Sequence, residues 1–391
     1  MNFLTEARSL LKVNIRDYGM YIALFVIMLT FSILTDGLFM SSRNISNLLD
    51  ATGYIAVLAV GMTLVIVIRH IDLSVGFAAG FMGAIAAIML SQLGVPVYLT
   101  IPIILVLGIV IGMFNGVLVA SVGIPSFVSS LAAMLIFRGA LLQVTENTGT
   151  IIVKDKTFNA LGNDYLPALA TVGGLNLLSL IIGACIILFF IYSEFSKRNQ
   201  KLKYKFEVVS MPIFAVKLVF VSVIIAYITW ILAGYNGFSW TVVITLIVVV
   251  IYHFLTTRTV LGRHIYAVGS NPEAAHLSGI NVKKITYIVF GSMGMLSALS
   301  GILYTARLQS ATTTAGTLFE LDAIAAAYVG GVSAAGGVGK ITGSIIGAVV
   351  MASLSSGMNL LGVGISYQYM IRGAVLALAV IFDVMTRKKR G

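Results

Sequence analysis

Few side chains in this 391-residue chain are equipped for chemistry: 14 Asp and Glu, four His and one Cys. The histidines, His70, His253, His264 and His276, are scattered. They form neither HExxH nor a Cys/His cluster, so no metal site is expected. Cys185 lies in an apolar run and has no second cysteine to pair with. No Ser/His/Asp set and no paired carboxylates in a hydrophilic domain present themselves. The stretch SAAGGVGKITG (Ser333–Gly343) superficially suggests a phosphate-binding loop, G-x-x-x-x-G-K-[ST]. Aligned on Gly339–Lys340, however, it places Ala334 at the first glycine and Ile341 where the magnesium-binding hydroxyl belongs. The chain is therefore read as no enzyme, with no cofactor of its own.

What remains is charge set among apolar residues. IRHIDLSVG (Ile68–Gly76) brings Arg69, His70 and Asp72 together between two apolar runs, and LFELDAIAAA (Leu318–Ala327) places Glu320 and Asp322 at the entrance to a third. Arg138 and Arg372 lie deeper in apolar sequence. A charge in hydrocarbon costs about 3 kcal/mol or more, so each should sit at an interface, a kink or an aqueous cavity. Asp72 as the cap of a following helix is as good a reading as a pathway role, and Glu320 and Asp322 are favourable near a helix N-terminus in their own right. For Arg138 and Arg372, a salt bridge and a path-lining cation both remain open.

The elements that must position these groups are set by composition. Apolar residues make up 59% of the chain, charged residues 10%, and mean hydropathy is +1.03. Such a chain cannot cover its apolar surface in water. Its runs match the ~20 residues that span a bilayer as helix, without the alternation of a membrane β-barrel. The fold class is all-α, a polytopic transmembrane bundle of about 10–12 spans within a single domain, 1–391. Spans are predicted at 18–36, 51–69, 74–92, 97–120, 126–144, 174–193, 212–233, 240–257, 285–305, 319–336, 341–361 and 367–386. Glycine and short connections around 74–92 and 319–336 also permit broken or re-entrant helices there. With both termini inside, 19 of the 25 Lys and Arg fall in cytoplasmic segments and four outside, which sets the orientation. The first span, preceded by Arg8, Lys12 and Arg16, is read as uncleaved. The same bias accounts for the net charge of +11 without nucleic acid.

SKRNQKLKYK (Ser196–Lys205) reads as a solvated cytoplasmic loop against anionic lipid head groups. Gly108, Gly112 and Gly116, and Gly343 with Gly347, follow GxxxG spacing and predict close helix packing. Ile71–Met89 and Gly336–Met351 both place a Gly-rich turn before a small-residue helix, a faint sign of internal repetition.

Segment 258–284 stands apart as a polar stretch between apolar runs. Within GSNPEAAHLSGINVKK (Gly269–Lys284), Asn271 is a good N-cap, Pro272 suits the first helical position and Glu273 the first turn. Ala274, Ala275, His276 and Leu277 propagate, and Gly279 suits a left-handed stop. A rod of about seven residues, ~10 Å long, cannot cross a membrane. Presented to the cytoplasm, it suits docking into a cleft of a partner. With few intramembrane acids for ion coupling, the work is expected to come from another protein.

EAAHLSG (Glu273–Gly279) resembles the E-A-A-x-x-x-G signature of permease subunits of bacterial ABC importers, without its I-x-L-P continuation. GMTLVIVIRHIDLSVG (Gly61–Gly76), GRHIYAVGSNPEAAHLSGINVKKI (Gly262–Ile285), TAGTLFELDAIAAAYVGGVSAAGG (Thr314–Gly337) and GMNLLGVG (Gly357–Gly364) resemble segments of the ribose/xylose/galactose permeases. Residues 194–240 exceed the shorter ribose-type members by a cytoplasmic loop and a helix pair, a layout more similar to xylose-type or multiple-sugar permeases.

The resemblance implies a type II importer. Two permease copies would form a homodimer in the bacterial plasma (inner) membrane, an ABC ATPase subunit would carry ATP and Mg, and an extracytoplasmic sugar-binding protein would deliver a monosaccharide such as xylose. Asn271–Gly279 would be the coupling helix, with Asp72 and Asp322 and their motif neighbours Arg69 and Glu320 as structural or path-forming residues. A secondary carrier or facilitator, and an ABC permease for nucleosides or other small polar solutes, are the alternatives.

Overall fold

The computed structural model describes residues 15–146, 149–168, 170–206 and 208–388; Arg8, Lys12, Lys389 and Arg390 of the charge argument lie outside them. The helices in chain order are α1 (Ile15–Leu34), α2 (Ser42–Val67), α3 (Val75–Ser91), α4 (Val97–Val117), α5 (Ser126–Thr145), α6 (Lys156–Asn163), α7 (Leu177–Lys203) and α8 (Met211–Ala233). There follow α9 (Trp240–Arg258), α10 (Val260–Ser270), α11 (Pro272–Leu277), α12 (Val282–Leu308), α13 (Phe319–Val329), α14 (Ile341–Leu360) and α15 (Ile365–Lys388). Two small antiparallel ribbons complete the description: β1 (Thr150–Ile152) with β4 (Ser310–Thr312), and β2 (Thr171–Val172) with β3 (Leu175–Asn176). Among the described residues nine helices are long and apolar enough to cross a membrane, and Gly19–Leu34 and Val75–Ser91 are shorter apolar helices. The all-α polytopic bundle is borne out.

Burial separates a centre from a rim. The most apolar window of α2 is 83% buried and that of α12 72%, against 11% for α7 and for α8, so the first two form the core and the last two face outward. At the centre, α4 crosses α12 through glycines. A Cβ at Gly112 would run into the Phe290 carbonyl, and one at Gly294 into the Gly108 carbonyl. The same device joins α14 to α13, where Gly347 lies against the Ala326 carbonyl and Gly343 against Gly330. In hydrocarbon, where water cannot drive helices together, this close approach supplies the dispersion contact.

Three expectations are corrected. First, α2 begins at Ser42 rather than 51, because Ser41 accepts the Asn44 N–H and caps it. Second, SKRNQKLKYK is not a loop: α7 stays helical to Lys203, held by an ion pair of Glu194 with Lys197 at 3.0 Å and another with Lys217 at the start of α8. Third, the helix expected at 319–336 stops at Val329, where Gly330 and Gly331 follow.

The third correction leaves the crossing in place. β4, just before this segment, pairs with β1 at one end of the bundle, and Gly337, just after it, donates to the Val67 carbonyl at the other. Eleven residues of α13 cover only ~16 Å, about half of the ~30 Å hydrocarbon core, and irregular backbone completes the rest. α3 likewise starts after an unwound stretch. The two breaks meet: Gly76 and Gly316 lie backbone to backbone, with the Glu320 side chain beside Gly76.

The glycine crossing yields a prediction. Gly112→Leu should cost about 1–3 kcal/mol and lower the thermal midpoint of the detergent-solubilised protein. Gly139→Leu on α5, where a Cβ meets nothing within 4 Å, should melt like the parental chain; equal midpoints for the two variants would contradict the crossing.

Candidate functional site

At the end of the bundle opposite the β1–β4 ribbon, α9 hands over to an elbow of three helices. Thr259 caps α10 by accepting the Gly262 N–H at 3.1 Å, Asn271 caps α11 by accepting the Ala274 N–H at 3.0 Å, and Asn281 caps α12 through Lys284 N–H at 2.9 Å. Pro272 takes the first position of α11, and Gly279, at φ +83°, follows its end. α11 is six residues long, about 9 Å. Ala275 alone of these six is buried; Glu273, Ala274, His276 and Leu277 are exposed, Leu277 to 86%. A capped, rigid rod that offers an apolar tip and an acid is suited to insertion into a partner's cleft.

The opposite half of the bundle holds a cavity of about 600 Å³ between α2, the end of α12, α13, α14 and α15, a volume within the ~300–1,000 Å³ range of small-molecule sites. From α2 it is lined by Asn44, Asn47, Thr52 and Tyr54; from α14 by Ser355, Ser356 and Asn359. Arg307, Asp322 and Arg372 complete the polar wall. The charges are compensated in place. Arg372 stands 3.4 Å from Asp322 and donates to Ser355 Oγ at 2.7 Å; Arg307 stands 3.8 Å from Asp50, which also accepts the Ser239 hydroxyl. Arg372 Nε is buried without a hydrogen-bond partner, so one donor stays unused.

At its deep end, Tyr304 meets Tyr54 and Phe319 edge to face while Tyr54 and Phe319 lie tilted to each other, with ring centroids 4.9–5.1 Å apart. Beyond Tyr54, α2 from Ala56 to Val67 is fully enclosed. The cavity is thus closed towards the α10–α11 end.

The sequence-predicted residues divide accordingly. Asp322 and Arg372 meet in the cavity. Glu320 is buried in the first turn of α13 against Gly76, outside the lining, and its Oε2 has no hydrogen-bond partner. Asp72 is buried and accepts both the Ser74 N–H at 2.9 Å and the Ser74 hydroxyl at 2.6 Å, holding the turn that precedes α3. Asn115 Nδ2 donates to the same hydroxyl at 3.1 Å. Arg138 is exposed on α5 with its guanidinium 5.6 Å from the Phe77 ring centroid, and takes no part in the cavity. Arg69 lies at the α10 end, where its guanidinium donates to the Gly269 and Ser270 carbonyls. Beside it His70 packs on Phe290, and burial pushes its imidazole below the ordinary histidine value.

Asn44, Asn47, Asp50, Arg307, Ser355 and Asn359 escaped the sequence reading. A span starting at 51 leaves the first three outside any helix, and one ending at 305 leaves Arg307 beyond the helix whose last turn it occupies in α12. The i, i+3 spacing of Asn44 and Asn47 and the i, i+4 spacing of Ser355 and Asn359 are the signals that could have found them.

Comparison with known proteins agrees with this architecture. The chain is 40% identical over 381 residues to the xylose transport system permease protein XylH of Haemophilus influenzae, covering 97% of this chain and 99% of that protein. It is 39% identical to XylH of Escherichia coli strain K12, covering 97% and 95%, and 34% identical to the ribose import permease protein RbsC of Haemophilus influenzae, covering 97% and 94%. No solved structure matches the chain significantly. The resemblance to monosaccharide permeases drawn from the motifs is borne out. Residues 44–380 match the family described as branched-chain amino acid transport system / permease component, and the chain belongs to that family of membrane-embedded permeases.

Proposed function

We propose that this chain is the permease subunit of an ATP-driven importer that carries a monosaccharide, xylose or a related sugar, across the bacterial plasma (inner) membrane. The observation that carries the reading is 40% identity over nearly the full length to a protein named as a xylose transport permease. The cavity supports the solute class. Its charges are paired with each other, leaving amide and hydroxyl groups to meet a neutral polyhydroxylated ligand.

In this reading both termini and α11 face the cytoplasm, in keeping with the clustering of basic residues. The cavity then opens outward, towards a sugar-binding protein that delivers the solute. The segment Asn271–Gly279, α11 with its flanks, docks on an ABC ATPase subunit that binds ATP and Mg. Two copies of the chain, embedded in lipid, enclose one path. ATP-driven closure of the ATPases moves α11, and the spans rock between outward and inward openings.

Two tests follow. Glu273→Lys combined with Gly279→Pro should abolish ATP-dependent uptake of labelled xylose by proteoliposomes, with unchanged membrane insertion and loss of the co-purified ATPase subunit. Uptake by the chain alone, without ATPase, would instead identify a secondary carrier. Asp322→Asn with Arg372→Gln removes both charges together, avoiding the lone buried charge that a single substitution would leave. This pair should fold and still retain the ATPase, yet transport at least about tenfold more slowly, equivalent to ~1.4 kcal/mol. Parental transport by the double variant would remove the cavity from the path.

A further inference from the structure

Three irregular segments converge at the α10 end of the bundle. The first is the break after α2, Ile68–Ser74. The second is the junction of α10 with α11. The third is the glycine-rich loop Ser333–Lys340 between α13 and α14. Each is backbone that has left a helix, so each must find hydrogen-bond partners within the protein.

They find them largely in one another. Gly337 N–H donates to the Val67 carbonyl at 2.8 Å, joining the loop to the end of α2. Tyr266 of α10 donates its hydroxyl to the Gly339 carbonyl at 2.7 Å. Arg69 Nε donates to the Gly269 carbonyl at 2.7 Å, and Nη2 donates to the Ser270 carbonyl. These are the last carbonyls of α10, where a cation is favoured, and the next residue, Asn271, is the cap of α11. Packing leaves no slack: a Cβ at Gly269 would strike the Val67 carbonyl, and one at Gly336 would strike Cγ of Arg69. Arg69 itself is held at φ +68°, in the left-handed region that non-glycine residues avoid at a cost of ~1 kcal/mol or more. A residue retained there against its backbone preference points to the side chain as the reason.

The loop on the far side of this joint is tied to every helix that supplies an Asp322–Arg372–Ser355 contact in the cavity. It follows α13, which bears Asp322, and leads into α14, which bears Ser355. Its Ser333 hydroxyl and Ala334 N–H both donate to Asp383 of α15, each at 3.2 Å, and α15 bears Arg372. A displacement of α11 must therefore either break the Arg69 fork or move the α2 break and this loop with it.

We propose that Arg69 is a positioning residue for transport: it pins the α10–α11 junction to the α2 break, and through the glycine-rich loop passes motion of α11 to the ion pair in the cavity. The inference rests on the reading of α11 as the ATPase-docking element. Arg69 touches neither solute nor ATPase; it acts by making three segments move together.

The test uses the full complex with its ATPase subunit and binding protein in liposomes, reading xylose uptake and ATP hydrolysis on the same sample. Arg69→Gly removes the fork while easing the left-handed backbone, so the chain should fold and keep its ATPase. Uptake per ATP hydrolysed should fall at least about tenfold, in line with the loss of charge-assisted hydrogen bonds. Arg69→Lys, which keeps the charge and can serve one carbonyl, should recover part of that ratio; a purely structural fault would alter complex yield and leave the ratio alone. Tyr266→Phe, which deletes only the Gly339 bond, should also lower the ratio and decides the matter should Arg69→Gly fail to assemble. An unchanged ratio in the assembled Arg69→Gly complex, or in Tyr266→Phe when the former does not assemble, overturns the proposal. Failure of the parental chain to retain an ATPase would refute the docking reading itself, a separate result.

Discussion

Inside a bilayer no water is present to satisfy a backbone N–H or C=O that leaves its helix, so irregular backbone survives only where protein supplies the partner. Much of this architecture follows from that constraint. The chain breaks its helices within or at the edges of the bundle core, before α3, before α13 and after α13, and buries each break against another. Gly76 and Gly316 lie backbone to backbone, and Gly337 meets the end of α2 at Val67. Glycine recurs at these points because a Cβ would hold the two chains apart.

Charge obeys a related rule. The carboxylates and guanidiniums of the cavity are paired across helices: Asp322 of α13 with Arg372 of α15, and Asp50 of α2 with Arg307 of α12. Pairing makes them tolerable in a low-dielectric interior. It also leaves a wall that is polar without being a net charge, with hydroxyl and amide groups interleaved. Such a wall suits an uncharged, many-hydroxyl solute better than an ion. The family description names a branched-chain amino acid system, whereas the relatives with 34–40% identity are named for xylose and ribose.

The elbow α10–α11–α12 belongs to local physics. Three polar caps, Thr259, Asn271 and Asn281, start three helices within 23 residues, and each forms its cap bond. The shape of the elbow is thus set by contacts that are local in the chain. In α11 only Ala275 is buried, and Glu273, Ala274, His276 and Leu277 are exposed.

Such local signals account for what was legible in the residue order. Apolar runs revealed the spans, Asn271-Pro272 the start of α11, and glycine at four-residue spacing the tight crossings, because hydropathy, capping and small-residue packing act over one or two turns. The motif resemblance reached further, to the permease family. The cavity was not legible, because its members lie far apart in the chain: Asn44, Arg307, Asp322, Ser355 and Arg372 share one wall only after α2, α12, α13, α14 and α15 assemble. Nor could the sequence choose between salt bridge and free cation for Arg372 and Arg138. The first found Asp322 on a neighbouring helix; the second found the Phe77 ring on the outer side of α5. The glycine-rich end of the 319–336 segment carried an ambiguity that only packing resolved, since whether Gly330 continues a helix or ends it depends on the partners available to the freed backbone. Composition and local spacing thus determined a helical, membrane-spanning chain with one short capped helix, and the motif resemblance its family, whereas long-range packing decided which charges meet and where the helices break.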